Sequence, residues 1–267
     1  MTGFNEIDLK LVKVSSFQER IDKLNEMIAD ARRIAFFTGA GISTDSGVPD
    51  FRSANGLYTT SEEDDPEYML SHTCLQTEPE RFFQYLRNYM DFRNYKPNIA
   101  HKKISELQLT RTVSVITQNI DGLHEKAGSK VIDNIHGTMA KWYCVGCMHD
   151  LYVPEDVLDG NYDNLDGVPK CPLCGGEFVI RPGITLYGEG LPGSAWSNAT
   201  LHAGSADLFI IVGTSLQVSP ANHLPYYFGN NEKLVIINRE PTPMDMSARL
   251  VFHEDIKDVF DKIVIPE

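Results

Sequence analysis

Four short apolar runs constrain this chain more than anything else in it. They occupy residues 34–37, 113–116, 208–212 and 234–237. The first reads Ile-Ala-Phe-Phe, and the other three are dominated by Val and Ile. Only one polar residue, Ser114, interrupts them. An unbroken run of four or five apolar residues is how a strand reads when both its faces are buried. Such strands belong to parallel sheets covered by helices, and helical stretches lie between these four. The expected class is therefore α/β.

Each run gives way to polar residues. The first ends in Thr38-Gly39, the second in Thr117-Gln118-Asn119, the third in Gly213-Thr214-Ser215, and the fourth in Asn238-Arg239. In open α/β sheets the ligand crevice lies at the carboxyl ends of the strands. One polar end means little, since a loop must start somewhere. Four together describe one cleft lined by Thr, Gln, Asn and Ser, suited to a large polar ligand such as a dinucleotide.

Charge narrows the partners. The 267 residues carry 24 Lys and Arg against 37 Asp and Glu, a net charge of −13. Such a chain is repelled by nucleic-acid phosphates and anionic membrane surfaces, which argues against both. Lysine-rich peptides are electrostatically easier partners. No run approaches the 18 apolar residues of a membrane span, and residues 1–13 lack the apolar core of a secretory signal. A cytoplasmic address and a monomer are the expectations. Residues 1–15 receive no role.

Local signals give the rest of the outline. Ser16 with Glu19 forms a capping box, followed by Phe17, Ile21, Leu24, Ile28 and Ala31 on one helical face. Residues 53–78 read as a polar loop with an acidic, solvated run at 62–65. Thr77 with Glu80 reads as a second capping box, opening a helix that carries Phe82, Phe83, Leu86 and Met90 and stops at Pro97.

Residues 138–183 break the α/β pattern and read as an inserted small module. They hold Cys144-x-x-Cys147 and Cys171-x-x-Cys174, four of the five cysteines. Two such knuckles can place four thiolates tetrahedrally around one Zn²⁺. Gly146, Gly175 and Gly176 would supply the tight turns. Four ligands close the shell, so the zinc would be structural. The competing reading is two redox pairs or free thiols. Cys74, alone in a polar stretch, reads as an ordinary thiol.

Three features have competing readings. Gly39-Ala40-Gly41-Ile42-Ser43-Thr44 resembles a dinucleotide loop, with Thr44 where a third glycine would stand, and it reads equally as a plain strand-to-helix turn. That departure argues against a hydride-transfer dehydrogenase. His136, after the apolar segment 131–135, has the right ordinary pKa for a base and reads equally as a packed histidine. Asn119 and Asp121 either bind ligand or cap a turn.

Taken together, the motifs resemble one family. Gly39-Ala40-Gly41-Ile42-Ser43, Pro49-Asp50-Phe51-Arg52, Thr117-Gln118-Asn119-Ile120-Asp121-Gly122-Leu123-His124, His136-Gly137, the four paired cysteines, Gly213-Thr214-Ser215-Leu216 and Ile237-Asn238 resemble the sirtuins over residues 20–260. The resemblance implies a Rossmann-like domain (16–137 and 184–267, with a helical module at 53–97), a zinc-ribbon domain (138–183), and NAD consumed as a co-substrate. It implies an NAD site at Gly39, Ala40, Gly41, Thr44, Asp50, Phe51, Arg52, Gln118, Asn119, Ile120, Asp121, His136, Gly213, Thr214, Ser215, Asn238, Arg239 and Ile256. His136 would be the general base, with Asn119 and Asp121 also catalytic. Thr185, Tyr187, Gly188 and Glu189, within the segment 184–189, would pair with an extended acyl-lysine peptide.

The implied activity is lysine deacylation that releases nicotinamide, O-acyl-ADP-ribose and free lysine. Family members that favour acidic acyl groups carry a Tyr-x-x-Arg pair in the helical module. Here the residues three after Tyr58, Tyr68, Tyr85, Tyr89 and Tyr95 are Ser61, Ser71, Asn88, Phe92 and Asn98. An uncharged acyl group, with acetyl the default, is therefore expected. ADP-ribosyl transfer, NAD hydrolysis and a non-catalytic nucleotide-binding module are the alternatives.

Overall fold

The computed structural model describes residues 16–50 and 65–267. Phe51, Arg52 and the acids at 62–64 lie outside the described residues. Each of the four apolar runs is a strand: β1 (Arg33–Thr38), β2 (Thr112–Thr117), β6 (Leu208–Val212) and β7 (Leu234–Ile237). Two shorter strands, β3 (Ile132–Asn134) and β8 (Leu250–Phe252), extend the sheet at its edges. The order β3-β2-β1-β6-β7-β8 is parallel throughout. Chain order reverses between β1 and β6, which makes that junction the switch point of a Rossmann-like sheet.

Period-two alternation divides the core. Ile34, Phe36, Val113, Val115, Ile210 and Val235 face one side, where they meet Ile21, Leu24 and Ile28 of the helix Phe17–Asp30. Ala35, Phe37, Ile116, Phe209, Ile211 and Ile236 face the other, against Ala199 and Ala203 of the helix Gly193–Ser205. This is why the runs carry a single polar residue, Ser114, itself buried. The first helix begins as its sequence indicates, with Ser16 and Glu19 satisfying each other's backbone N–H groups.

Between β3 and β6 the chain leaves the large sheet. The strands β4 (Gly137–Cys144) and β5 (Ile180–Ile184) form an antiparallel pair. They share a third core with the helices near residues 66–89: Met69, Leu75, Phe82, Phe83 and Leu86 pack with Tyr152, Val157, Val168 and Ile180. Arg87 ties these parts together, bonding Asp163 at 2.7 Å and the carbonyls of Gly167 and Leu158 at 2.8 and 3.2 Å.

Several local expectations require correction. The segment 65–78 is not a loop but holds the helices Pro66–Met69 and His72–Thr77. Thr77 does not cap the next helix: it ends the preceding one and its hydroxyl donates to the Thr73 carbonyl at 2.9 Å. The next helix, Pro79–Tyr89, starts with proline at its first position, where the missing N–H costs nothing. It also ends at Tyr89, well before Pro97. Cys74 lies fully buried in the third core, so the stretch around it is not a solvated one.

The switch point is closed by glycine. Gly39 N–H donates to the Val212 carbonyl at 3.0 Å and Gly41 N–H to the Gly213 carbonyl at 2.9 Å. A Cβ on Gly41 would lie 2.8 Å from Gly213 Cα, and one on Gly213 would lie 2.3 Å from Ile42 N. Gly213 also has φ +63°. We expect Gly213→Ala to lower stability by about 2–4 kcal/mol, because strain and overlap add. Gly229→Ala, at φ +67° with nothing within 4 Å, should cost only about 1–2 kcal/mol. Urea unfolding of both variants checks this; equal losses would show that the close approach contributes nothing.

Candidate active site

The loop after β2 reaches across the switch point. Gln118 Nε2 donates to Thr214 Oγ1 at 3.0 Å, joining the β2 and β6 ends. Asn119 Nδ2 donates to the Gly39 carbonyl at 3.1 Å and to Ser43 Oγ at 3.2 Å, joining the β2 and β1 ends. Asp121 is buried, with Oδ2 accepting from Ser43 Oγ at 2.7 Å and Oδ1 from Leu123 N–H at 2.8 Å. Burial raises the Asp121 pKa, and the two hydrogen bonds oppose that rise. Asp121 thus caps the turn at Leu123, while the Asn119 side chain ties the loop to the β1 end.

Ser43, which the sequence shows inside the glycine motif but without a role of its own, is the centre of this network. Its oxygen also lies 3.5 Å from His101 Nε2. The His101 ring sits 4.8 Å from that of His124, whose Nε2 is 3.1 Å from Thr38 Oγ1. Both histidines are buried. Burial lowers the His101 pKa to about 4 and holds His124 well below the ordinary histidine value, with repulsion from His101 adding to the latter.

His136 stands between β3 and β4, half-buried, with Nδ1 2.9 Å from the Gln118 carbonyl. A carbonyl only accepts, so Nδ1 carries the proton and the Nε2 lone pair is available. Burial lowers the His136 pKa and the Gln118 bond partly opposes it, so the ring is neutral at pH 7. Gly137, with φ +77°, turns the chain immediately after it into β4.

The other expected NAD-site residues fall around the same junction. Ala40 and Thr44 lie in the short 3₁₀ helix Ala40–Ser46, with Thr44 Oγ1 donating to the Gly41 carbonyl. Asp50 is half-buried at the end of the described segment, and Ile120 packs on the third core. Ser215 is half-buried beyond Thr214. Asn238 Nδ2 donates to the Glu240 carbonyl at 2.7 Å; Arg239 pairs with Asp255, and Ile256 packs partly buried on the main core. The glycines differ in role from the expectation: Gly39 and Gly41 serve the β6 loop's approach as well as any ligand's.

The segment 184–189 is held on several sides. Thr185 N–H donates to the His136 carbonyl at 2.8 Å. Tyr187 uses both backbone groups on the helical segment: its N–H donates to Leu70 O at 3.0 Å, and its carbonyl accepts from His72 N–H at 2.9 Å. Glu189 N–H donates to Leu186 O, closing a turn with Gly188 at φ +89°. Extended backbone therefore ends near Tyr187. Glu189 faces inward, bonded by Arg181 and by Leu186 N–H. Burial alone would raise its pKa, but the Arg181 guanidinium and these hydrogen bonds lower it to about 2. Arg181, a nearly buried arginine, is a further site residue absent from the sequence-based set; a lone arginine inside the strand Ile180–Ile184 is the signal that could have found it.

The four paired cysteines converge, with all sulfurs within 4.8 Å of one another. Cys144 and Cys174 sulfurs are 3.7 Å apart, and those of Cys147 and Cys171 are 3.8 Å apart. A tetrahedron with Zn–S of about 2.3 Å requires sulfurs about 3.8 Å apart. The short contacts run between knuckles rather than within them, which fits one metal and not two redox pairs. Gly175 and Gly176 have positive φ, as expected for turns. Gly146 lies in the turn closed by the bond from Met148 N–H to the Cys144 carbonyl, without a positive φ, and its missing side chain also makes room for Phe178, whose ring would lie 2.4 Å from a Cβ there.

The Sir2 family model matches residues 39–220. The chain belongs to the Sir2 family. An NAD-dependent protein deacetylase of Listeria monocytogenes serovar 1/2a is 41% identical over 243 residues, covering 91% of this chain and all of that one. Two solved Sir2 structures are also similar. One, with deacetylated p53 peptide and 3′-O-acetyl ADP-ribose, has a TM-score of 0.82 and 34% identity. The other, with p53 peptide and NAD⁺, has a TM-score of 0.79 and 34% identity. Each covers 91% of this chain and 96% of its own. Among the described residues of this sirtuin, no helix is long and apolar enough to cross a membrane.

Two outcomes can be tested on this geometry. Cys171→Ser should lose the metal, lower Tm by several degrees and leave the chain sensitive to chelators. Metal analysis beside a melt checks this, and one retained equivalent with unchanged melting would contradict a structural site. The buried neutral histidines also set a pH dependence. Unfolded, His101 and His124 take up protons near pH 6.5; folded, they resist until much lower pH, so stability present above pH 6.5 is lost as pH falls toward 4. The urea midpoint should fall between pH 7 and 5.5, and His101→Gln should flatten that slope.

Proposed function

We propose that this sirtuin is an NAD-dependent protein-lysine deacylase, acting on acetyl-lysine peptides and yielding nicotinamide, O-acyl-ADP-ribose and free lysine. The observation that carries the reading is His136: its Nδ1 proton is committed to Gln118 O, which leaves Nε2 as a base beside the switch-point cleft. A nucleotide-binding module without turnover has no use for a base so oriented.

The donor set suits NAD. Hydroxyls and amides from three strand ends, namely Gln118 after β2, Thr214 and Ser215 after β6 and Asn238 after β7, accompany two glycine loops, as a ligand with ribose hydroxyls and a pyrophosphate requires. Bound NAD supplies a glycosidic bond whose breakage leaves an electrophilic ribose carbon. Asn119 and Asp121, locked by Ser43, shape the pocket that takes the nicotinamide end. His136 Nε2 accepts the proton of a ribose hydroxyl, which frees that oxygen to attack the acyl carbon. Gly39, Ala40, Gly41, Thr44, Asp50, Ile120, Gly213, Arg239 and Ile256 complete the assigned NAD site, together with Phe51 and Arg52. The segment with Thr185, Tyr187, Gly188 and Glu189 positions the peptide. Residues 16–137 and 184–267 form the NAD domain in this reading, and 138–183 the zinc domain. The zinc, held by Cys144, Cys147, Cys171 and Cys174, stabilises the fold and takes no part in the reaction.

The Listeria relative's name and the acetyl ADP-ribose in a similar structure support the reaction class. The lack of a Tyr-x-x-Arg clamp supports an uncharged acyl group. The test is nicotinamide release with and without an acetyl-lysine peptide. Peptide-dependent release is expected, and His136→Ala should lower it by at least about 10²-fold with the melt unchanged, the factor a positioned general base supplies. Release without peptide would point instead to hydrolysis or ADP-ribosyl transfer. No release would leave only a binding module.

A further inference from the structure

The proposed reaction needs a peptide bound in one register, and the segment assigned to that task is held from outside by a residue with no assigned role. His72 opens the helix His72–Thr77. Its backbone N–H donates to Tyr187 O at 2.9 Å, and its Nδ1 lies 3.0 Å from Glu189 Oε1. Ser71 and Tyr187 pair as a parallel bridge. The imidazole is partly exposed, whereas Arg181, on the other side of Glu189, is nearly buried. One histidine thus grips the turn at two points: the carbonyl of its second residue and the carboxylate of its last.

We propose that His72 is a positioning residue for the acyl-lysine peptide, acting through Glu189 and the Leu186–Glu189 turn. The inference rests on the peptide-binding role proposed for residues 184–189. Tyr187 and Gly188 are exposed at the tip of the turn. Arg181 and Leu186 N–H fix the carboxylate from the β5 side only, and both belong to the same stretch of chain. Among the described residues, His72 is the one side chain bonded to Glu189 that comes from another part of the fold, the helical segment that flanks the peptide edge. Removing its imidazole leaves Glu189 paired with Arg181 and the backbone bonds of Tyr187 to Leu70 and His72 in place, but releases the Glu189 end of the turn from the helices. The NAD end is built from other residues: His72 bonds Tyr187 and Glu189, whereas the cleft is made by Gln118, Asn119, His136 and the glycine loops.

The test is steady-state kinetics on the full chain, varying acetyl-lysine peptide and NAD separately. His72→Ala should raise KM for peptide about three- to tenfold, the worth of one partly exposed hydrogen bond to a charged group. KM for NAD should stay within about twofold, and kcat at saturating peptide should be close to that of the parent. His72→Asn, whose amide can replace Nδ1 as donor, should restore most of the peptide KM. An unchanged peptide KM in a folded His72→Ala protein would overturn the inference, as would equal losses for peptide and NAD. Failure of the Asn variant to recover, with its melt unchanged, would also overturn it. If the parent chain itself shows no peptide-dependent release, the deacylase reading falls and this inference falls with it.

Discussion

The meeting of two glycine loops at the β1/β6 junction is the constraint on which the rest of the site depends. A parallel sheet opens a crevice where its chain order reverses, but the crevice is useful only if the flanking loops stay close. Here Gly41 and Gly213 approach at backbone distance, a separation no side chain at either position would allow. That closeness places Gln118 within reach of Thr214, and Asn119 within reach of Gly39 and Ser43. Widen the junction, and the polar ends of three strands no longer bond one another.

The network beneath the cleft explains how a polar site survives in a buried place. Asp121, Ser43, Asn119, His101 and His124 would each be costly alone in a low-dielectric interior. Linked, they satisfy most of their donors and acceptors, and burial keeps the imidazoles neutral. Neutrality matters for the chemistry too. In the proposed reaction, a protonated imidazole under the cleft would oppose the positive charge that develops when a nicotinamide bond breaks. The same burial that costs stability as pH falls therefore keeps the floor of the cleft free of unwanted positive charge.

The fold was legible wherever burial dictated residue type. Strands inside a double-layered sheet must be apolar on both faces, so 34–37, 113–116, 208–212 and 234–237 announce themselves, and knuckle cysteines announce a shared metal by spacing. The edge strands β3 and β8 did not, because three residues with one protected face carry little pattern. Helix boundaries in 65–97 resist reading because Thr77 and Glu80 fit a capping template while Pro79, between them, is the stronger start signal. Of the site, the strand ends and His136 were visible. His101 was not, and the roles of Ser43, His124 and Arg181 were not, because what fixes them is partners 8 to 86 residues away in sequence, which only the folded chain brings near.

The small module follows the same logic at lower density. It has too few residues for a core of its own, so it borrows one: Tyr152, Val157 and Val168 pack on helices that precede β2 in the chain. Four thiolates gathered at one point then replace the apolar area that so short a segment cannot bury. Arg87 spans the two halves of this body by bonding three points within residues 158–167 of the module. The shared core carries β4 and β5, and β5 continues directly into residues 184–189. A metal held by the knuckles would thus act on the proposed substrate edge through the sheet, since loosening the knuckles would loosen β5 from β4, and with β5 the turn at Glu189.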